Sequence, residues 1–353
     1  MDARIETKTI QTDRLLVSYL TAGVPEGEPL LLIHGNASAN LFWDDTIAAL
    51  CDQYRVYAPD MRGYGASEAL PIDATRGLRD WSDDLHSFIR ALGLPTPVHL
   101  AGWSLGGGIA MQFAIDHPQE VRSLILIAPM SPYGFGGTKD IAGTPCYSSF
   151  SGSGGGAVNS ELVKRIAAKD MGNESPSSPR NVMNQLYFKP PFQVGPEQED
   201  RYVRAILSTR TGEDFYPGTF EYVNDWPGVA PGTTGITNAI SPKYVNLSGI
   251  VQMEPKCPII WIRGADDAIV SDQSLADFGT LGKLGYVPGW PGEDEYPPQP
   301  MVSQIRDVLE QYQRAGGSYQ EIVMENVGHA PHIEKAEEFI ELIRKTVRAE
   351  VTP

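Results

Sequence analysis

The sequence predicts an α/β protein: a mostly parallel central sheet flanked by helices on both faces and interrupted by a large, mainly helical insertion. Three observations carry this. Short, almost wholly apolar runs recur along the chain, helical stripes lie between them, and an interval of 126 residues, 130–255, falls between the last two runs. The runs are 30–33, 54–58, 98–101, 124–128 and 259–262, with Arg55 and His99 as the only polar interruptions. Strands covered on both faces read this way, because neither face alternates toward water.

The helices follow from a period of 3.6. Trp81, Leu85, Phe88, Ile89 and Leu92 share one helical face that ends near Gly93 and Pro95. Ile305, Val308, Leu309 and Tyr312 repeat the stripe ahead of Gly316, a helix-ending residue. Phe339, Ile343 and Val347 mark a last helix. Strands alternating with helices imply βαβ units. The interval 130–255 is too long for a structureless loop and reads as an inserted domain on a core formed by 1–129 and 256–353. Residues 278–300, rich in Gly and Pro, read as an irregular surface excursion.

Composition bounds the partners. The chain has 353 residues, with 44 acidic against 28 basic and a net charge of −16, which opposes binding to nucleic acid or anionic membranes. No apolar run reaches membrane-spanning length, and residues 1–13 lack the apolar stretch of a secretory signal. Cys51, Cys146 and Cys257 are scattered and odd in number, against a disulfide framework. The expectation is a cytoplasmic protein acting on a small molecule, without metal or cofactor: no zinc spacing, phosphate loop or dinucleotide fingerprint occurs.

Four motifs carry chemistry. Gly102-Trp103-Ser104-Leu105-Gly106 follows a predicted strand and precedes a helical pattern, the context of a nucleophile elbow. A serine on such a turn projects above the sheet, with a helix N-terminus beneath any developing oxyanion. His34-Gly35-Asn36-Ala37 ends an earlier strand; the Asn36 and Leu105 N–H groups are the expected oxyanion donors, with His34 shaping the loop. Asp266 and Asp267 follow the strand 259–262, and either could orient a histidine; spacing does not separate them. His329, behind Gly328 and the strand-like residues 321–324, is the expected base, and His332 reads as a helix-entry residue. The order Ser, Asp, His fits the triad order of one hydrolase architecture. Trp103, Met130 and Ser131 are candidate substrate contacts, and residues 286–296 could reach the same rim.

Taken together, HGNAS (34–38), PDMRGYGAS (59–67), GWSLGG (102–107), RGADDAIV (263–270) and VGHAPHIEK (327–335) resemble the α/β-hydrolase fold superfamily. The similarity is to its serine-nucleophile branch with a lid inserted between strands 6 and 7. The resemblance implies Asp267 as the catalytic acid, a triad with Ser104 and His329, and a bracing role for Asp60 and Arg62. Ser104 stands where epoxide hydrolases and haloalkane dehalogenases of this fold carry aspartate. It further implies hydrolysis of a carboxylic ester or lactone. Carbon–carbon bond or amide hydrolysis by the same triad, and a non-catalytic receptor on the same fold, are the alternatives. The insertion holds 14 of the 32 aromatic residues and nearly balanced charge, which suits a largely uncharged substrate.

Overall fold

A computed structural model describes residues 5–349, with side chains described through residue 345. Its core is an eight-stranded sheet. The strands are β1 (Glu6–Gln11), β2 (Leu16–Gly23), β3 (Glu28–Ile33), β4 (Tyr54–Pro59), β5 (Val98–Trp103), β6 (Val121–Ile127), β7 (Pro258–Gly264) and β8 (Ser318–Met324). Their spatial order is β1-β2-β4-β3-β5-β6-β7-β8. β1 and β2 pair antiparallel to each other, β2 pairs antiparallel to β4, and the remaining pairs are parallel.

Each of the five apolar runs falls in a strand of the parallel part, except that Ala128 lies just past the end of β6, and most ends extend by one to three residues. Leu30 to Ile33 and Leu124 to Ile127 are essentially fully buried, as double coverage requires. The hairpin β1–β2 was not expected. Its outer strand, ETKTIQ, is exposed almost throughout, so an edge position leaves it without an apolar signature.

Helices α1 (Asp44–Leu50), α2 (Arg79–Leu92) and α3 (Leu105–Asp116) cover the first half of the sheet. α2 buries Trp81, Leu85, Phe88 and Ile89 and stops at Gly93, whose φ of 60° is the left-handed turn that glycine adopts without strain. α3 is buried on nearly every side, and its three consecutive glycines let it lie close to the backbone of its neighbours. In the second half, the stripe at 305–312 belongs to a helix over Met301–Arg314, and the last helix spans Ala336–Ala349. Phe339 and Ile343 of that helix are buried; the side chain of Val347 lies outside the described residues.

The segment 130–255 leaves the sheet after β6 and returns at β7. Its regular structure is mostly helical, with α4 (Ser160–Ala167) and α5 (Pro196–Leu207) the longest pieces and two short two-stranded pairings beside them. The excursion at 278–300 differs from its expectation. It opens with a helical turn over Phe278–Lys283, capped by Asp277, and buries Tyr296 and Gln299 completely. The Tyr296 hydroxyl donates to Ser151 O at 3.0 Å and Gln299 Nε2 to Gly134 O at 3.1 Å, so the excursion is fastened to the insertion. Cys51, Cys146 and Cys257 form no disulfide with one another. Among the described residues no helix is long and apolar enough to cross a membrane.

Candidate active site

The carboxyl ends of the parallel strands converge on one cavity. Ile33 pairs with Gly102 and Gly264 with Met324, so the loop after β3 lies beside the loop after β5, and the loop after β7 beside that after β8. Strand ends of this kind are where ligands bind in open α/β sheets.

Ser104 occupies the turn between β5 and α3. Its φ of 57° and ψ of −118° lie outside the regions that an L-residue adopts freely. Its backbone is pinned on both sides: Ser104 N donates to Ile127 O at 2.9 Å, and Met130 N donates to Ser104 O at 3.1 Å. A side chain at Gly106 would place Cβ 2.2 Å from Ile33 O, so only glycine permits the packing of α3 against the end of β3. Leu105 N and Gly106 N precede the first N–H bonds of α3, which run from Gly107 N and Gly108 N to Ser104 O at 3.0 and 3.3 Å.

The loop after β3 approaches from the other side. A Cβ on Gly35 would lie 3.1 Å from Ser104 Cβ, which measures how closely this backbone passes the serine. Asn36 turns its side chain inward: Oδ1 accepts from Ala37 N at 2.9 Å and from the Tyr64 hydroxyl at 2.8 Å. His34 braces the same loop. Its Nε2 accepts from Met61 N at 3.0 Å, which assigns the proton to Nδ1, 2.9 Å from Gly35 O. Burial drives its pKa down to about 4, so the ring is neutral here. Asp60 ties the neighbouring turn, accepting from Asn40 N and Ala66 N, each at 2.9 Å. Arg62 makes a two-pronged pair with Asp84 at 2.7 and 2.8 Å.

Across the cavity, His329 Nδ1 lies 2.8 Å from Asp267 Oδ2, with both side chains nearly fully buried. Asp267 Oδ1 accepts from Ile269 N at 2.8 Å and Val270 N at 2.9 Å, which fixes the carboxylate plane. With Nδ1–H directed to the carboxylate, Nε2 is the ring atom left to accept a proton. Asp266 points the other way, to Lys189 Nζ at 2.7 Å. Trp103 is both packed and lining: its indole N–H donates to His329 O at 2.7 Å, and the residue borders the cavity.

The cavity encloses about 360 Å³ and is bordered by Asn36, Ser104, Leu105 and His329 together with Met130 and the apolar side chains of the insertion. Ser131 is not on its wall. The hydroxyl turns away and donates to Gln304 Oε1 at 2.6 Å, whereas Met130 borders the cavity. The 286–296 stretch does not line the cavity either; Leu275, Ala276 and Leu281, which precede it, do. His332 is sealed beneath Trp43 and Trp103, with ring centroids 4.3 and 4.9 Å away, and neither ring nitrogen has a hydrogen-bond partner among the described residues. Burial, with the nearby His329 adding to it, drives its pKa down to about 3.

Residues that sequence reasoning did not single out complete the frame. The Tyr187 hydroxyl, from the insertion, reaches Ala37 O at 3.0 Å and Asn36 O at 3.2 Å. Two residues later, Lys189 N donates to Glu334 Oε2 at 2.8 Å, while Gly328 N donates to Oε1 of the same carboxylate at 2.9 Å. The only sequence signal for Tyr187 was its place in the aromatic-rich insertion, and Glu334 sat inside a motif without a spacing rule to pick it out.

A sheet of this order, with a strained serine turn facing an Asp–His pair at the strand ends, defines an α/β hydrolase. The profile of the Alpha/beta hydrolase family matches residues 30–342, and the chain belongs to that family. Among curated proteins it is similar to a cis-3-alkyl-4-alkyloxetan-2-one decarboxylase of Xanthomonas campestris, 33% identical over 32% of this chain and 39% of that protein. It is also similar to a pimeloyl-acyl-carrier-protein methyl ester esterase of Aeromonas hydrophila, 35% identical over 29% of this chain and 38% of that protein. The match thus spans well under half the length of these relatives. Among solved structures, a putative aryl esterase from Burkholderia cenocepacia superposes with a TM-score of 0.61 at 17% identity, covering 99% of this chain and all of that one. That likeness concerns the fold.

Proposed function

We propose that the chain is a serine hydrolase that cleaves a carboxylic ester or lactone of a small, largely uncharged substrate. The observation that carries this reading is the buried His329–Asp267 contact of 2.8 Å, whose histidine borders the same cavity as the strained Ser104 turn. His329 Nε2 takes the proton of Ser104 Oγ as Oγ attacks the acyl carbon. Asp267 holds the ring tautomer and offsets its charge. The Asn36 and Leu105 N–H groups receive the oxyanion. His329 then passes the proton to the leaving alcohol and activates water to release the acyl group from Ser104.

The cavity wall supports the substrate class. Among the described residues no Asp, Glu, Lys or Arg borders it, whereas Leu162, Leu186, Ile240, Leu275 and Leu281 do. An ionic substrate would lose hydration there without a charged partner. Residues 130–255 act in this reading as the lid, with Met130 and Trp103 touching the acyl group. A fluorophosphonate probe should label Ser104 in the native protein and fail with Ser104→Ala. In a panel of p-nitrophenyl esters and lactones the same variant should lose at least about 10³-fold in kcat. Wild-type turnover by Ser104→Ala would overturn the reading, and absent labelling of the native serine would favour a receptor.

A further inference from the structure

At the far end of α3 from Ser104, three side chains with metal-binding donors meet: His86 of α2, His117 at the C-terminus of α3, and Glu120 in the turn before β6. One donor atom of each lies within 4.8 Å of the others. His86 Nε2 is already 3.1 Å from Glu120 Oε1, close to the separation of about 3.4 Å between two donors of a tetrahedral zinc ion. The His86 and His117 rings stack with centroids 4.0 Å apart and planes 17° from parallel. The backbone draws two of the three residues together: Glu120 N donates to His117 O at 3.0 Å.

We infer that His86, His117 and Glu120 form a binding site for a divalent transition-metal ion of the zinc class. Two imidazoles and one carboxylate are ligands of that class, and the partial exposure of all three leaves a coordination position open to water. The stacked rings must splay for their in-plane lone pairs to meet at one ion. Asp116 lies beside the cluster but is engaged elsewhere, accepting from Gln112 Nε2 at 2.9 Å. Its charge, with that of Glu120, makes the neighbourhood attractive to a cation. A bound ion would fasten α2, the end of α3 and the approach to β6 together. It would hold structure rather than take part in reaction, because the whole 12-residue length of α3 separates it from Ser104.

The test uses untagged, chelator-stripped full-length protein titrated with zinc chloride by calorimetry, and with cobalt(II) by visible absorption. The expected result is one ion per chain, a rise in Tm on adding zinc, and a cobalt absorption band of low-symmetry coordination. His86→Gln, His117→Gln and Glu120→Gln should each weaken binding by about 10-fold or more and remove the Tm rise. Cys146→Ser should leave both unchanged. Histidine-ring NMR of the unaltered protein gives a readout independent of any variant's folding: zinc should shift the signals of His86 and His117 and leave His34, His99 and His332 in place. No binding at about millimolar zinc, affinity unchanged from the native protein in the three variants, or NMR shifts at other histidines would each overturn the site.

Discussion

Asp266 and Asp267 are adjacent, identical in type and opposite in direction. Asp267 receives two backbone N–H groups from the loop that follows it and faces His329, while Asp266 projects to Lys189 at the surface. Nothing in spacing alone could separate them, because the choice depends on which way the loop folds; only the family pattern favoured the second. Asp267→Asn should lower kcat by about 10³–10⁴-fold, since an amide stabilises the wrong ring tautomer. Asp266→Asn should stay within about 3-fold, because it breaks only a half-exposed ion pair. Steady-state kinetics on any ester that the native protein turns over compares the two, and loss confined to Asp266→Asn would reverse the assignment. The same lesson holds for Met130 and Ser131. Both follow β6, and the backbone bond from Met130 N to Ser104 O turns one side chain toward the cavity and the other toward Gln304.

Among the secondary-structure elements, those buried on both sides were legible and those at the margins were not. The parallel strands announce themselves because apolar residues must fill both faces; the exposed β1 carries no such constraint. The helical turn Phe278–Lys283 is six residues long, too short for a periodic stripe, and its cap at Asp277 is the only local signal. The insertion was legible as a long interval with aromatic content, but its contacts to the core were not, since contacts between distant segments leave no local pattern. Tyr187 is the example. Its hydroxyl bonds to Asn36 O and Ala37 O steady the backbone next to the proposed oxyanion donor. Tyr187→Phe should lower kcat by about 10-fold with little change in KM, because the ring still fills its place while the loop loses its tether. The accompanying loss of stability should be about 1–2 kcal/mol by urea unfolding. An unchanged kcat would show that the loop holds its shape without the insertion.

For the molecule as a whole, buried ionisable groups couple folding to pH. Folded His34 and His332 titrate near 4 and 3, against an ordinary 6.5 when the chain is unfolded. Between these values the unfolded chain binds protons that the folded chain excludes, so their effect is absent above pH 6.5 and destabilises progressively as pH falls. Asp277 works in the opposite sense. Burial raises its folded pKa to about 6 from 3.8, so it adds stability as pH drops through 6. Two imidazoles against one carboxyl leave a net decline, approaching about 1.4 kcal/mol per pH unit near pH 5 for these three groups. Urea unfolding at pH 7, 6 and 5 should show this decline, and His332→Phe should flatten it by removing one of the two protons. A slope unaltered by that substitution would place the acid sensitivity elsewhere. One further consequence follows from the order of the strands. The serine turn and the loop after β3 lie ahead of the insertion in the chain, while Asp267 and His329 lie behind it. A single nick within residues 130–255 therefore yields one fragment with the proposed nucleophile and another with the proposed acid and base. Each alone would be inert, and mixing them would be a natural split reporter whose signal depends on β6 and β7 finding one another.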